Sequence, residues 1–121
     1  MLPEPTSETQ VEFTPEFKRC LRTLAKRYPT IRSDLEPLIA ALQSGERPGD
    51  QVGGVGYAVV KARAPNSDAR RGRSGGYRVV YWVAEKQRVV LLTLYSKSDQ
   101  ADVSIAQLRH VLRAWEQDQP E

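Results

Sequence analysis

The hydrophobic pattern of this chain changes its period once, near residue 57, and this change limits the folds that the chain can adopt. Upstream, apolar residues recur every three or four positions, as on the buried face of a helix. The first stripe comprises Phe17, Leu21, Leu24 and Tyr28. Thr14-Pro15-Glu16 precedes it and is typical of a helix start. A second stripe runs from Ile31 to Leu42, with a capping-box pattern at Ser33 and Glu36. Together they predict a helical hairpin.

Downstream of residue 57 the period becomes two, which indicates β-strands. Three runs rich in β-branched and aromatic residues occupy residues 57–64, 77–84 and 89–95. A further helical pattern follows, with Asp102 or Ser104 as its N-cap. Residues 11–13 alternate enough for a short strand before the first helix. The order of elements predicts an α+β domain with an antiparallel sheet.

Length and composition restrict the organisation and the cofactors. The chain has 121 residues, 40% of them hydrophobic and 27% charged, as in an ordinary globular domain. We expect a loose leader over residues 1–9, a single domain over residues 10–117 and a tail over residues 118–121. No apolar run is long enough to span a bilayer and no export signal is recognisable, so we expect a cytoplasmic protein. Cys20 and His110 are the only residues of their types, which excludes an internal disulfide and a Cys-based or paired-His metal site. We therefore expect no cofactor.

Positive charge is concentrated in one third of the chain. Residues 56–98 carry nine Lys and Arg against two acids, a net charge of +7, although the whole chain carries only +3. Residues 1–55 carry seven against eight, and residues 99–121 carry two against five. Such a distribution is typical of a protein that binds a polyanion or an acidic partner.

Strand alternation predicts which of these cations lie together. Lys61 and Arg63 share one face of their strand, and Arg78 shares a face with Val80 and Trp82. An arginine flanked by valines either pairs with a carboxylate or faces a functional groove, because burial of an unpaired charge is costly. The acids of the basic region, Asp68 and Glu85, fall in predicted turns. We therefore favour a groove.

Three segments resemble the RelE/ParE toxin superfamily, and most closely the RelE/HigB-type toxins of bacterial type II toxin–antitoxin systems. They are Tyr57–Arg63, Arg71–Tyr81 with its G-R-S-G-G-Y-R motif, and Leu92–Ser98 with L-Y-S-K. The two helical patterns also resemble this branch, so that the similarity covers residues 11–112. The resemblance implies a helical hairpin packed on a small twisted antiparallel sheet with a C-terminal helix. It further implies an mRNA endoribonuclease (mRNA interferase) that acts on the ribosome, inhibits translation and is held inactive by a cognate antitoxin from an adjacent gene.

The resemblance also implies a set of site residues. The basic motif positions of the family fall on four residues expected to be catalytic, Arg63, Arg73, Arg78 and Lys97. Four more are expected to contact RNA: Lys61, Arg71, Tyr77 and Tyr95. The catalytic tyrosine that some RelE members carry near the chain end has no match here, which leaves the general base open.

The chemistry of RNA cleavage distinguishes the roles of these cations. Attack by the 2′-hydroxyl requires a base, charge stabilisation at the phosphorane and an acid at the leaving 5′-oxygen. Arginine cannot act as a base, so the arginines suit phosphate binding by forked donors. Lysine can exchange a proton, which makes Lys97 the candidate for proton transfer. No metal ion is needed.

Two other functions fit the same fold. A ParE-like toxin would inhibit DNA gyrase by protein contact without cleaving RNA, but such an inhibitor does not need cations that converge on neighbouring strands. A catalytically inactive RNA-binding relative would keep the charge and lose the proton-transfer residue. The missing tyrosine leaves this second alternative open.

Overall fold

A computed structural model describes residues 8–68 and 75–118. It contains three helices and five strands in an α+β arrangement, which confirms the predicted fold class. In chain order the elements are β1 (Gln10–Phe13), α1 (Pro15–Arg27), α2 (Ile31–Gln43), β2 (Asp50–Gln51), β3 (Val59–Ala64), β4 (Tyr77–Glu85), β5 (Arg88–Ser96) and α3 (Ile105–Asp118). None of these helices combines the length and the apolar character needed to cross a membrane.

The five strands form one mixed sheet in the order β1-β5-β4-β3-β2. The pairs β3–β4 and β4–β5 are antiparallel, as predicted. The sheet is not antiparallel throughout, because β1 pairs with β5 in parallel, from Gln10 opposite Arg88 to Phe13 opposite Leu91. A parallel pair needs a long crossover instead of a hairpin turn, so it leaves no local signal in the sequence. The segment between α2 and β3, for which the sequence pattern predicts no strand, contributes the short strand β2, which pairs antiparallel with β3.

Each face of the sheet is covered by helix. The predicted helical hairpin, α1 and α2, packs on one face, and this core includes Phe17, Ile31, Leu35, Leu42, Val79, Tyr81 and Leu91. The C-terminal helix α3 packs on the other face, where the core includes Val80, Val90, Leu92, Leu108 and Leu112. Alternate residues of β4 and β5 therefore enter different cores, and a polar side chain on either face lies beside a helix or beyond its end.

Side chains cap the N-termini of α1 and α3, and the cap of α1 also binds the sheet. Thr14 Oγ1 accepts a hydrogen bond from the Phe17 amide at 2.9 Å and donates one to the Leu92 carbonyl at 2.8 Å, so the N-cap of α1 is fixed to β5. Ser104, one of the two predicted caps of α3, accepts from the Gln107 amide at 3.0 Å.

The N-terminus of α2 is capped from a distant part of the chain. Thr30 is the N-cap residue, but its side chain makes no capping hydrogen bond. Instead, the Thr30 amide donates to Asp68 Oδ2, 2.9 Å away, from the segment that follows β3. The predicted capping box of Ser33 and Glu36 is wrong, because both residues lie inside α2.

Candidate nucleic-acid interface

Four of the predicted cations meet in one groove on the face of the sheet that carries α3. Lys61 and Arg63 come from β3, Arg78 comes from β4, and Lys97 directly follows β5. Their side chains line a cavity of about 520 Å³ together with Pro48, Gly49, Asp50 and Ala62. We call this the cationic groove. The alternation predicted for β3 and β4 places these side chains together, since Arg63 and Arg78 are direct partners across the two strands.

Of the other predicted site residues, the two tyrosines do not line this groove. Arg71 and Arg73 lie outside the described residues. Tyr77 has no exposed surface, and its ring packs edge-on against Tyr28 at a centroid distance of 5.9 Å, under the helical hairpin. Tyr95 is 5% exposed. Because helices cover both faces of the sheet, neither tyrosine has the open ring face that stacking on an RNA base requires.

A β-bulge determines where Tyr95 lies. Tyr81 is paired with Leu91 and Val80 with Thr93, so Leu92 is an extra residue without a direct partner. Beyond the bulge the alternation of β5 is shifted by one residue, and Tyr95 becomes the partner of Arg78 on the groove face. The Tyr95 hydroxyl lies 3.3 Å from Asp102 Oδ1, to which it donates a hydrogen bond. Burial raises the pKa of Tyr95 to about 12, which keeps this hydroxyl protonated at neutral pH.

Arg78 is fixed to the backbone at the start of its own strand. Its Nη1 donates to the Gly75 carbonyl at 2.5 Å and to the Tyr77 carbonyl at 3.3 Å. This entry into β4 requires glycine, because Gly76 has a φ of 70° and a Cβ there would lie 2.2 Å from the Ala64 carbonyl oxygen. The guanidinium is half-buried and keeps donors available towards the groove.

Both lysines of the groove bond to residues that connect β5 to α3, and Lys97 is itself the first residue of this connection. Lys61 Nζ forms an ion pair with Asp102 Oδ1 at 2.9 Å, and Lys97 Nζ donates to the Ala101 carbonyl at 2.9 Å. Asp102 also accepts from the Val103 amide at 2.8 Å. The hydrogen bonds from Lys61 and from the Val103 amide lower the pKa of the Asp102 carboxyl. Lys61 is therefore paired with a carboxylate that stays ionised at neutral pH.

A second carboxylate, Asp50, lines the cationic groove from β2. It is the direct partner of Lys61 across β2 and β3. Within residues 8–68 and 75–118, the side chains of Asp50 and Arg63 make no hydrogen bond or ion pair, and both residues are exposed. The preceding Gly49 permits this approach, because it has a φ of 113° and a Cβ there would lie 2.4 Å from the Lys61 carbonyl oxygen.

Sequence reasoning missed Asp50 as a groove residue and Asp102 as the partner of Lys61. Asp50 follows the helical hairpin in a glycine-rich segment, and Asp102 precedes α3. Neither lies in a motif, and only the fold brings them to Lys61. The Gly-Asp step at residues 49–50 is the one local signal that a close backbone approach was required.

The arrangement suits the binding and stabilisation of a phosphate in a polyanion. Two guanidinium groups and two ammonium groups surround one groove, and forked guanidinium donors match phosphate oxygens. Among the described residues, no three His, Cys, Asp or Glu side chains come together as metal ligands would. Guanidinium and ammonium groups can stabilise negative charge, and an ammonium group can also transfer a proton.

Comparison with known proteins identifies the family. The sequence model described as RelE toxin of RelE / RelB toxin-antitoxin system matches residues 17–117, a range that begins within α1, ends within α3 and includes all four groove cations. No curated protein matches the chain with significance. The chain belongs to the RelE toxin family and is a toxin of a toxin–antitoxin system.

Proposed function

We propose that this toxin is a metal-independent mRNA endoribonuclease that acts in the cytoplasm at the ribosome and thereby inhibits translation. The observation that carries the proposal is the convergence of Lys61, Arg63, Arg78 and Lys97 in one groove. A groove of this charge attracts RNA, and membership of the RelE family favours cleavage over simple binding.

The proposed reaction is attack of a ribose 2′-hydroxyl on the adjacent phosphate. The bond from the 2′-oxygen to phosphorus forms, the bond from phosphorus to the 5′-oxygen breaks, and the products carry a 2′,3′-cyclic phosphate and a 5′-hydroxyl. Arg63 and Arg78 stabilise the negative charge of the phosphorane. The predicted cations Arg71 and Arg73, outside the described residues, remain part of this proposal as further phosphate contacts.

Two groove residues can transfer the protons. Lys97, the candidate from the sequence, can donate a proton to the leaving 5′-oxygen. Asp50 is a carboxylate in the same groove and forms no ion pair among residues 8–68 and 75–118, so it can accept the proton of the 2′-hydroxyl. This pair replaces the tyrosine that the C-terminal helix lacks.

The test is to incubate the purified toxin with an RNA, both free and on translating ribosomes, and to map the 5′ ends. We expect 5′-hydroxyl ends, and we expect cleavage to stop when the ribose on the 5′ side of the cleaved phosphate is 2′-deoxy. Cleavage only on ribosomes would support ribosome dependence. Products with a 5′-phosphate would contradict 2′-hydroxyl attack. Intact RNA together with inhibited gyrase supercoiling would favour the ParE-like alternative.

The proposal includes an antitoxin partner that neutralises the groove. A small antitoxin with acidic segments would meet the cationic groove with complementary charge. Complementary charge mainly raises the association rate, so we expect association to slow as salt rises while dissociation changes little. Stopped-flow mixing with the antitoxin encoded next to this gene measures both rates. An association rate independent of salt would mean that the antitoxin binds away from the groove.

A further inference from the structure

Two residues between β5 and α3, Ala101 and Asp102, accept hydrogen bonds from the two lysines of the cationic groove but not from its two arginines. Lys61 is paired with Asp102, and Lys97 is bonded to the Ala101 carbonyl. Arg78 donates to backbone carbonyls of its own turn, and no carboxylate within the described residues pairs with Arg63 or Arg78. Half of the positive charge in the groove is therefore engaged by this one segment.

The ion pair between Lys61 and Asp102 competes with the binding of a substrate phosphate to Lys61, and it is exposed enough for a phosphate to break it. The side chains are 29% and 63% exposed, so water can replace either partner. The hydrogen bond from Lys61 lowers the pKa of Asp102, and the carboxylate is therefore fully ionised at neutral pH. A phosphate oxygen offers Lys61 the same kind of charge-assisted hydrogen bond as a carboxylate oxygen does.

We propose that Asp102 is an internal competitor of the RNA: its carboxylate takes the place beside Lys61 that a substrate phosphate would take. This inference rests on the proposed function, because it requires RNA in the groove. RNA that binds to Arg63 and Arg78 must displace Asp102 before Lys61 contributes. Binding of RNA would thereby release the segment of residues 97–104 from one of its attachments to the groove.

The chain offers a matched control on the same segment. Asp99 forms an exposed ion pair with Arg27, with distances of 3.1 Å to both Nη atoms, and this pair does not line the cationic groove. Asp99→Asn and Asp102→Asn thus each remove one carboxylate charge and one surface ion pair. Asparagine at position 102 retains an oxygen that can accept from the Val103 amide and the Tyr95 hydroxyl.

The experiment measures the affinity for a single-stranded RNA oligonucleotide that is 2′-deoxy at the cleaved position, over a range of salt. We expect Asp102→Asn to bind the RNA about two- to fivefold more tightly than the parent, because this is the effect of removing one competing surface ion pair. Because one more cation becomes available to the RNA, the slope of log K against log salt should steepen by about 0.7. Asp99→Asn should bind as the parent does. In a Lys61→Ala background, Asp102→Asn should give little further gain.

Each alternative result has a defined meaning. Parental or weaker binding by a folded Asp102→Asn variant would overturn the competitor role, and weaker binding would indicate that Asp102 positions Lys61. If Asp102→Asn raised the RNA affinity equally in the Lys61→Ala background, the gain would come from the change in net charge. This result would also overturn the competitor role. A parent protein that neither binds the oligonucleotide at low salt nor cleaves RNA, free or on ribosomes, would contradict the proposed function itself.

Discussion

Arg63 and Arg78 lie directly opposite each other on β3 and β4, with both side chains at the cationic groove. Like charges in directly opposed positions destabilise a pair of antiparallel strands. The fold would be more stable with a neutral residue at either position. The two arginines thus lower the stability of the strand pair, and they concentrate guanidinium donors at one point of the surface.

Arg63→Gln should therefore stabilise the protein while it weakens RNA binding. We expect the free energy of unfolding to rise by about 0.2–1 kcal/mol, the range of a cross-strand pair. Urea denaturation and binding to the 2′-deoxy oligonucleotide measure the two effects. Arg32→Gln, on the exposed surface of α2, is the control. A variant that loses both stability and affinity would contradict the repulsion between Arg63 and Arg78.

Arg78→Ala should lower the cleavage rate by about 10²–10³, the usual effect of removing one donor that stabilises the transition state. The fold should persist, since the Arg78 side chain bonds, among the residues that the structure describes, only to backbone carbonyls of the adjacent turn. Single-turnover cleavage measures the rate, and circular dichroism checks the fold. Arg32→Ala should cleave at the parental rate. Parental cleavage by Arg78→Ala would show that the reaction occurs elsewhere.

Gly76→Ala should destabilise the protein by about 2 kcal/mol or more, because alanine at positive φ is strained and its Cβ would overlap the Ala64 carbonyl oxygen. Gly53→Ala is a suitable comparison, since a Cβ there meets no atom within 4 Å. Thermal unfolding of the two variants measures the difference. Equal melting temperatures would mean that the start of β4 can rearrange.

The cap that Asp68 provides to α2 should make stability depend on pH. The hydroxyl and the amide of Thr30 both donate to Asp68 Oδ2, at 2.6 and 2.9 Å, and these hydrogen bonds lower the pKa of Asp68. A lowered pKa stabilises the fold above the ordinary aspartate value of about 4, and this contribution is lost as the pH falls through the lowered value. Asp68→Asn should therefore melt below the parent at pH 7, with a smaller difference at about pH 3. An equal difference at both pH values would exclude an effect of the charge.

The sequence correctly predicts the strand faces on which Lys61, Arg63 and Arg78 lie, because strand alternation is a local property. Each side chain follows from its neighbours within the same strand, and the partner strand only fixes the register. The same reasoning is insufficient for Tyr95, because the bulge at Leu92 inserts one residue into β5. A bulge depends on the pairing of two strands, so one strand alone does not indicate which face Tyr95 occupies.

Contacts between distant segments account for the remaining differences. Asp102 meets Lys61 across 41 positions, and Asp68 caps Thr30 across 38. The parallel pair of β1 and β5 likewise joins residues that are separated by most of the chain. Composition and periodicity say nothing about such pairs, because each partner would be an ordinary polar or apolar residue in its own segment.

The strand order leaves the sheet with short edges. The two nine-residue strands, β4 and β5, have neighbours on both sides, whereas the outermost strands β1 and β2 have four and two residues. Where β1 ends, the Thr14 side chain bonds the Leu92 carbonyl and begins α1 beside β5. Another sheet therefore meets few free backbone N–H and C=O groups at these edges with which to form a strand pair. A second copy of this sheet thus has little edge with which to pair, so the strand order itself limits the sheet to the strands of one molecule.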